Sequence, residues 1–347
     1  MNPTKDRTYS SRRKALELLE KRDHTQPIES AVRQDEFWRN FYQNLHNGNL
    51  IPIISNTLRN NRIFDDAAND SDGNVVRDDI PVDEDLATLW AKNIGYPLHV
   101  DHLRLECPLA RVAQFNYIAN NADQEMAKRR YLSFLKESIL TIAEDDTSVS
   151  DEVDALRDQI DDLSFADIVA RLDYPRFDDQ NKDPLRILAH FRLPIYVTTS
   201  YYDFMERALK AENIKNVRTQ FCLWNMKEEQ VDPEHRPDPG FVPSPECPLV
   251  YHLHGIEAYP SSLVLSEDDY MDYMLALAQD NNANRPLIPN YLREAIAQQP
   301  LLLLGYRLQD WDFRTLFRGV IEFQRAQLDF VRNSHVTKLI NEGTKAT

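Results

Sequence analysis

Short and nearly continuous runs of apolar residues occur at four places in the chain, residues 50–54, 193–199, 249–253 and 301–304. Such runs are typical of strands buried on both faces of a parallel sheet, whereas half-buried strands alternate apolar and polar positions. A helical stretch over residues 203–210 follows the second run directly. The pattern predicts an α/β fold, with a Rossmann-like parallel sheet and flanking helices.

The long segment between the first two runs has a different period. From about residue 84 to residue 188, apolar residues recur at the spacing of helices, which predicts a large helical insertion. Within it, the acidic stretch 144–167 is interpreted as a solvated helix face, with Ser148 and Ser150 as candidate helix caps. Residues 65–85, rich in Asp and Asn, predict an exposed and mobile loop.

The two ends of the chain are more polar than its centre. Residues 1–46 contain amphipathic stretches at 9–20 and 37–45, which predict an N-terminal helical arm. The main domain is expected to span residues 47–335, and residues 336–347 form a C-terminal tail.

Charge and composition exclude several classes of function. A formal net charge of −16 argues against nucleic acid as a direct partner, because phosphate binding needs a local excess of Lys and Arg. The three cysteines, Cys107, Cys222 and Cys247, form no C-x-x-C pair, so we expect neither a disulfide framework nor a metal site. Neither a membrane span nor a signal peptide is evident, and we expect a cytoplasmic protein.

Polar residues follow the second apolar run, at the edge where a parallel sheet binds its ligands. The first three are Thr198, Thr199 and Ser200. Their hydroxyls either cap the next helix or bind the hydroxyls of a sugar.

The third run contains two histidines. His252 and His254 are predicted to lie on the same side of a strand, and Gly255 follows them. Histidine suits proton transfer near neutral pH, so His254 at the carboxyl end of the strand is the candidate acid or base. His252 is assigned to packing. The missing side chain of Gly255 allows a turn or the close approach of a ligand.

The fourth run ends at Gly305. Beyond it, Tyr306 and Asp310 are placed to reach an adenosine or a ribose. A turn closed by Gly305, with Trp311 and Phe313 in the core, is the structural alternative.

These segments together resemble those of the bacterial sirtuin-like proteins. Residues 198–209, TTSYYDFMERAL, resemble the T-T-N-Y-D-D-x-x-E-x-x-L segment of that family. Residues 254–270 resemble its L-H-G segment with the trailing S-x-V-x-T-x-x-D-Y, and residues 305–313, GYRLQDWDF, resemble its closing G-Y-S-x-x-D-x-D-F. The resemblance runs from about residue 50 to residue 323.

The resemblance implies that residues 47–335 form a sirtuin-like NAD-binding domain. Members of the family frequently hydrolyse NAD in bacterial anti-phage defence. In those enzymes a histidine and an asparagine support cleavage of the bond between nicotinamide and ribose, and they correspond to His254 and Ser200 of this chain. We therefore expect an NAD+ glycohydrolase, with NAD as substrate, His254 as base and Ser200 positioning water. Tyr202 replaces an aspartate of the family segment, so Asp203 is the carboxylate expected to orient the histidine or the ribose. Glu206 is interpreted as facing a helix groove.

Nucleotide binding is expected at the strand ends. The candidate cofactor-binding residues are Ser55, Asn56, Arg59, Thr198, Thr199, Gly255, Gly305, Tyr306 and Asp310. The family has a glycine-rich loop after the first strand, whereas residues 54–59 of this chain, ISNTLR, contain no glycine. Binding there is expected to use side chains, with Arg59 or Arg62 supplying positive charge.

Two departures from the family pattern leave a second hypothesis open. Ser200 stands in place of the asparagine, and the loop after the first strand lacks glycine. Both favour a catalytically weak or inactive nucleotide-binding scaffold that assembles with a hexameric HerA-type ATPase. The resemblance also implies a homo-oligomer. Protein deacylation is disfavoured, because classical sirtuins carry a four-cysteine zinc module that three cysteines cannot build.

Overall fold

The structure is a computed structural model that describes residues 26–67, 84–97, 109–119, 123–177, 183–238, 240–279 and 287–306. The chain divides into two compact units, Met1–Asn49 and Leu50–Thr347. In the first unit, helix α1 spans Gln26–His46, which confirms the helix predicted at 37–45. The helix predicted at 9–20 and the tail at 336–347 lie outside the described residues. The loop predicted at 65–85 is wrong at both ends, because residues 65–67 and 84–85 are helical, and its residues 68–83 lie outside the described residues.

The second unit contains a sheet and its flanking helices. The described strands are β1 (Ile51–Ile54), β2 (Ile195–Thr198), β3 (Arg218–Phe221), β4 (Leu249–His252) and β5 (Leu301–Leu304). The described helices are α2 (Thr57–Ala67), α3 (Glu84–Asn93), α4 (Leu109–Ala119), α5 (Gln124–Ala143), α6 (Ser150–Arg157), α7 (Phe165–Arg171), α8 (Pro184–His190), α9 (Phe204–Ala211), α10 (Glu267–Gln279) and α11 (Asn290–Gln298).

The five strands form one all-parallel sheet in the order β3-β4-β2-β1-β5. Thr198 of β2 pairs with His252 of β4 on one side and with Ile54 of β1 on the other. Every residue of β1, β2 and β4 is buried, as their continuous apolar runs predict. The same prediction is wrong for β5, which lies at the edge of the sheet and is partly exposed, with Leu303 41% exposed. The predicted α/β fold with a Rossmann-like parallel sheet is confirmed.

Helices cover both faces of the sheet. On one, named here the α9 face, the Tyr196 hydroxyl donates to the carbonyl of Leu188 in α8 (3.2 Å), and Glu206 of α9 contacts His252. On the other, named the α10 face, alternate strand residues share a core with α4, α10 and α11. That core includes Ile51, Ile53, Ile195, Val197, Leu249, Tyr251, Ala110, Tyr270, Tyr273 and Leu292.

Strand β3 is not predicted by the apolar runs. It is an edge strand that pairs with β4, and its first two residues are only partly buried. An edge strand can carry a weaker hydrophobic signal than a central strand, although the other edge strand, β5, is a run of four leucines. The sequence of β3, RTQF, contains one large apolar residue, Phe221.

Between β1 and β2, the described residues form the helices α2 to α8 and no strand. The predicted serine caps of α6 are wrong. Ser150 is already helical, and Val149 at the cap position makes no side-chain capping bond. Ser148 is engaged elsewhere, because its hydroxyl and backbone N–H both donate to Asp146 Oδ1 (2.6 and 2.9 Å). None of the helices in the described ranges has the length and apolarity that crossing a bilayer requires.

One buried ion pair joins the helices between β1 and β2 to the rest of the second unit. Lys128 Nζ of α5 lies 2.9 Å from Asp269 Oδ1 of α10, and the two side chains are 3% and 0% exposed. Asp269 Oδ2 accepts the backbone N–H groups of Leu265 and Ser266 (3.1 and 2.8 Å). Burial lowers the pKa of Lys128, although the Asp269 charge opposes that effect.

Candidate functional site

The connections that leave β2 and β4 run to opposite faces of the sheet. Strand β2 leads into α9, whose Glu206 contacts the last residue of β4 on the α9 face. Strand β4 leads into α10, whose Tyr270 and Tyr273 belong to the core of the α10 face. In parallel sheets, a ligand crevice opens at such a topological switch point, beyond the carboxyl ends of the strands. The residues at this switch point are 199–200 and 253–254.

The ends of β1, β2 and β5 meet in one hydrogen-bonded cluster. Thr199 Oγ1 accepts the backbone N–H of Asn56 (3.1 Å) and lies 3.3 Å from the Tyr306 hydroxyl. Gly305 has a φ of +77°, and a Cβ there would lie 3.2 Å from the Cβ of Ser55. Five candidate binding residues from three strands are therefore brought together.

The N–H, carbonyl and hydroxyl groups of Ser200 each make a hydrogen-bonding contact. Its N–H donates to Thr198 Oγ1 (2.9 Å), its carbonyl lies 2.7 Å from His252 Nδ1, and its hydroxyl accepts the N–H of Tyr202 (3.3 Å). Thr198 Oγ1 also donates to the Ile54 carbonyl (3.0 Å), so the Thr198 hydroxyl serves the backbone. The Ser200 hydroxyl donates no bond within the described ranges, and its proton is available to a ligand.

A buried histidine and a buried glutamate lie beneath Ser200. His252 Nε2 is 2.9 Å from Glu206 Oε1, and their side chains are 1% and 3% exposed. The Thr219 hydroxyl donates to the same carboxylate oxygen (2.9 Å). Burial alone would lower the pKa of His252, but the Glu206 charge and hydrogen bonds raise it. Burial would likewise raise the pKa of Glu206, but His252 and Thr219 lower it.

This arrangement corrects two sequence interpretations. Glu206 faces the sheet rather than a helix groove, and His252 is hydrogen-bonded at both ring nitrogens rather than merely packed. The sequence does carry a signal for Glu206, since it is an acidic residue among the buried apolar positions of α9. Those positions are Phe204, Met205, Ala208 and Leu209.

His252 and His254 do not share a side, which corrects a third interpretation. Strand β4 ends at His252, and beyond it the chain turns, so strand alternation no longer sets the direction of His254. The His254 ring is 1% exposed and packs edge-on against Tyr270 and Tyr273, with centroids 5.6 and 5.4 Å away.

Gly255 makes the turn after His254, with a φ of +84°. A Cβ at this position would lie 2.3 Å from the carbonyl oxygen of Ser262. The glycine is therefore required by the left-handed backbone and by the close approach of the Ser262 backbone.

A cavity of about 380 Å³ lies between α2, residues 175–177 and the start of α8, and neither Ser200 nor His254 lines it. Its lining residues are Leu58, Arg59, Arg62, Pro175, Phe177, Asp183, Pro184 and Leu185. Arg59 NH1 binds Asp183 Oδ2 (2.9 Å), and the guanidinium lies over the Phe204 ring at 5.2 Å. The buried Arg59 Nε has no hydrogen-bond partner in the described part of the chain. The Arg59 guanidinium is thus paired with Asp183 at the wall of the cavity.

Asp203 immediately precedes α9. Its Oδ1 is 2.7 Å from Arg207 Nε, and Arg207 NH2 also pairs with Asp167 of α7 (2.7 Å). The carboxylate that contacts a histidine in this region is that of Glu206. Within the described ranges, no three His, Cys, Asp or Glu side chains form a group able to hold a metal ion.

Glu257 is a partly buried acid that no sequence pattern indicates. Its backbone N–H donates to the Tyr201 carbonyl (2.9 Å), and its Oε2 accepts the N–H of Phe165 at the start of α7 (3.1 Å). Burial raises the pKa of Glu257 to about 7. The residue links the segment after β2 to the helices between β1 and β2.

An all-parallel sheet with helices on both faces and polar residues at its switch point defines a Rossmann-like α/β protein. Within that class, a family model described as a SIR2-like domain matches residues 194–338. The match supports a sirtuin-like family and indicates NAD-related activity. The chain matches no curated protein. Asp310 lies within the matched segment but outside the described residues.

Proposed function

We propose that this protein hydrolyses NAD at the bond between nicotinamide and ribose. The observation that carries the proposal is the switch point between β2 and β4. Ser200 and His254 each lie two residues beyond the paired residues Thr198 and His252. The similarity of residues 194–338 to a SIR2-like domain supports NAD as the substrate.

The reaction needs a water molecule directed at C1 of the nicotinamide ribose and a base that takes its proton. The water oxygen bonds to this carbon, and nicotinamide leaves with the electron pair of the broken carbon–nitrogen bond. The products are nicotinamide, ADP-ribose and one proton. We assign the base to His254 and the positioning of water to the Ser200 hydroxyl. Asp203 acts at a distance, by fixing Arg207 at the start of α9.

The rest of the dinucleotide is assigned to the other strand ends. The hydroxyls of Thr199 and Tyr306, beside the Asn56 backbone, are suited to a ribose or an adenosine. Arg59 and Arg62, which line the cavity of about 380 Å³, are suited to a phosphate because both guanidinium groups are positively charged. Side chains here take the role that a glycine-rich backbone loop has in other Rossmann-like proteins.

We further propose that the enzyme is a bacterial anti-phage effector that depletes NAD in the cytoplasm. The resemblance of three ordered motifs to those of sirtuin-like defence proteins supports this role. An unrestrained NAD hydrolase is toxic to its host, so the activity is held in a homo-oligomer until a trigger or a partner releases it. A hexameric HerA-type ATPase is the proposed partner.

The test is an assay of nicotinamide release by the purified protein, alone and with a hexameric HerA-type ATPase. We expect His254→Ala to lower turnover by about 100-fold or more, the range for loss of a general base. Ser200→Asn should raise turnover, because an amide has a fixed geometry and a longer reach. His190→Ala is the matched control, since the His190 side chain is 50% exposed on α8 and takes no part in the site.

A nucleotide-binding scaffold is the competing function, favoured by the glycine-free loop after β1. It predicts NAD binding without nicotinamide release, in every state of assembly and also in Ser200→Asn. Calorimetry with NAD, run beside the assay, separates the two functions.

A further inference from the structure

The His252 ring contacts a carbonyl oxygen, which only accepts hydrogen bonds, and the Glu206 carboxyl group, which only accepts them when it is ionised. Nδ1 lies 2.7 Å from the Ser200 carbonyl oxygen, and Nε2 lies 2.9 Å from Glu206 Oε1. A neutral imidazole has one N–H and one lone pair, so it would direct a lone pair at one of these oxygens. With Glu206 ionised, both contacts are satisfied only when both ring nitrogens carry a proton. The geometry is then that of an imidazolium paired with a carboxylate.

The surroundings of the ring favour that charge. Glu206 Oε1 also accepts the Thr219 hydroxyl, which a carboxylate oxygen does better than a carboxylic acid oxygen. Glu206 Oε2 has no hydrogen-bond partner among the residues that the structure describes, so a proton placed there would find no acceptor. The charged groups that act on His252 are Glu206 and Asp203, and both raise its pKa against the effect of burial.

The pair is placed where it controls Ser200. Thr198 and His252 are directly paired on neighbouring strands, and the ring reaches the Ser200 carbonyl across the switch point. The same peptide segment carries the Ser200 hydroxyl, which accepts the N–H of Tyr202. A cation held at the carbonyl thus fixes the backbone from which the hydroxyl projects.

We propose that His252, kept as an imidazolium by Glu206, is the positioning residue for Ser200. The proposal rests on the proposed NAD hydrolysis for its catalytic consequence, but its structural part stands without it. His252 touches neither substrate nor water. It holds Ser200 in the orientation that directs water, and Glu206 supplies the compensating charge.

The protonation state is tested directly in the wild-type protein. With histidine labelled by nitrogen-15, the His252 signals are assigned from their absence in His252→Gln. We expect both ring nitrogens to stay protonated from pH 6 to pH 8, a range in which exposed histidines lose a proton. A neutral His252 ring at pH 7 would overturn the proposal, whether or not the protein hydrolyses NAD.

The positioning role is tested with two variants. In His252→Leu with Glu206→Leu, the pair is replaced by apolar side chains, which buried sites often tolerate without loss of folding. We expect kcat to fall by about tenfold to 100-fold with little change in KM, because substrate binding lies elsewhere. His252→Lys keeps a cation with several donors and should restore kcat to within about threefold. Equal kcat in wild type and double variant would refute the role.

Hydrogen exchange covers the case in which the wild type hydrolyses no NAD. The amides of Ser200 and Tyr202 should exchange at least about tenfold faster in the double variant, while the amides of β1 and β5 report global stability. Unchanged exchange at Ser200 would overturn the positioning role. If the wild type hydrolyses no NAD but the amides of Ser200 and Tyr202 exchange faster in the double variant, the proposed hydrolysis is refuted and the positioning role of His252 is kept.

Discussion

At the scale of single residues, Gly255 is the position among the described glycines Gly95, Gly240, Gly255 and Gly305 where substitution should be least tolerated. Its φ of +84° disfavours any side chain, and an added Cβ would meet the Ser262 carbonyl at 2.3 Å. We expect Gly255→Ala to lower the free energy of unfolding by about 2–5 kcal/mol, combining backbone strain with overpacking. Urea unfolding followed by circular dichroism measures this.

Gly95 provides the matched control for Gly255. It has a similar φ of +68°, but no heavy atom of the described residues lies within 4 Å of its Cβ position. Gly95→Ala should cost about 1–2 kcal/mol, the strain of the backbone alone. Equal losses for the two variants would show that the contact with Ser262 contributes nothing.

The residue scale also shows what the sequence could not reveal. Thr199, Asn56 and Tyr306 follow predicted strands and do meet, because parallel strands end at a common edge. The partners of His252 and His254 could not be predicted. Side-chain alternation holds only inside a strand, and β4 ends between the two histidines.

At the scale of elements, the Lys128–Asp269 pair should make α5 and α10 depend on each other. Asp269→Ala leaves a buried ammonium group without its counter-charge and frees the N–H groups of Leu265 and Ser266. We expect it to lower the free energy of unfolding by about 3–5 kcal/mol. Lys128→Met should lower the free energy of unfolding by less than about 2 kcal/mol. In that variant Asp269 still accepts the N–H groups of Leu265 and Ser266 and the side-chain amide of Gln124 (2.5 Å).

Chemical denaturation of both Lys128–Asp269 variants, monitored by fluorescence, gives the comparison. A larger loss in Lys128→Met than in Asp269→Ala would contradict this account of the pair. The strands were predictable where their sequence is a continuous apolar run. That holds for the central strands β1, β2 and β4 and for the edge strand β5, a run of four leucines, but not for the edge strand β3, whose sequence is RTQF.

At the scale of the whole molecule, Glu257 should give global stability a dependence on pH. Its carboxyl group, with a pKa near 7 when folded and near 4.5 when unfolded, binds more protons in the folded state between those values. Stability contributed by the neutral acid is therefore present at low pH and is lost as pH rises through this window.

Glu257→Gln isolates this effect, because glutamine stays neutral at every pH. The variant should gain stability relative to the wild type between pH 5 and pH 8, by about 1–3 kcal/mol. Thermal unfolding across that range measures the difference. A constant difference between the two proteins would mean that Glu257 ionises normally when folded.

The position of β1 in the sheet has a consequence for how the protein is made. Ile51 at the start of β1 pairs with Leu301 of β5, and Ile53 pairs with Val197 of β2. On a ribosome, β1 emerges early but has no strand to join until most of the chain has been translated. The exposed apolar side chains and unpaired backbone groups of β1 are then a binding site for chaperones. Folding is expected to be slow because the paired strands are distant in sequence.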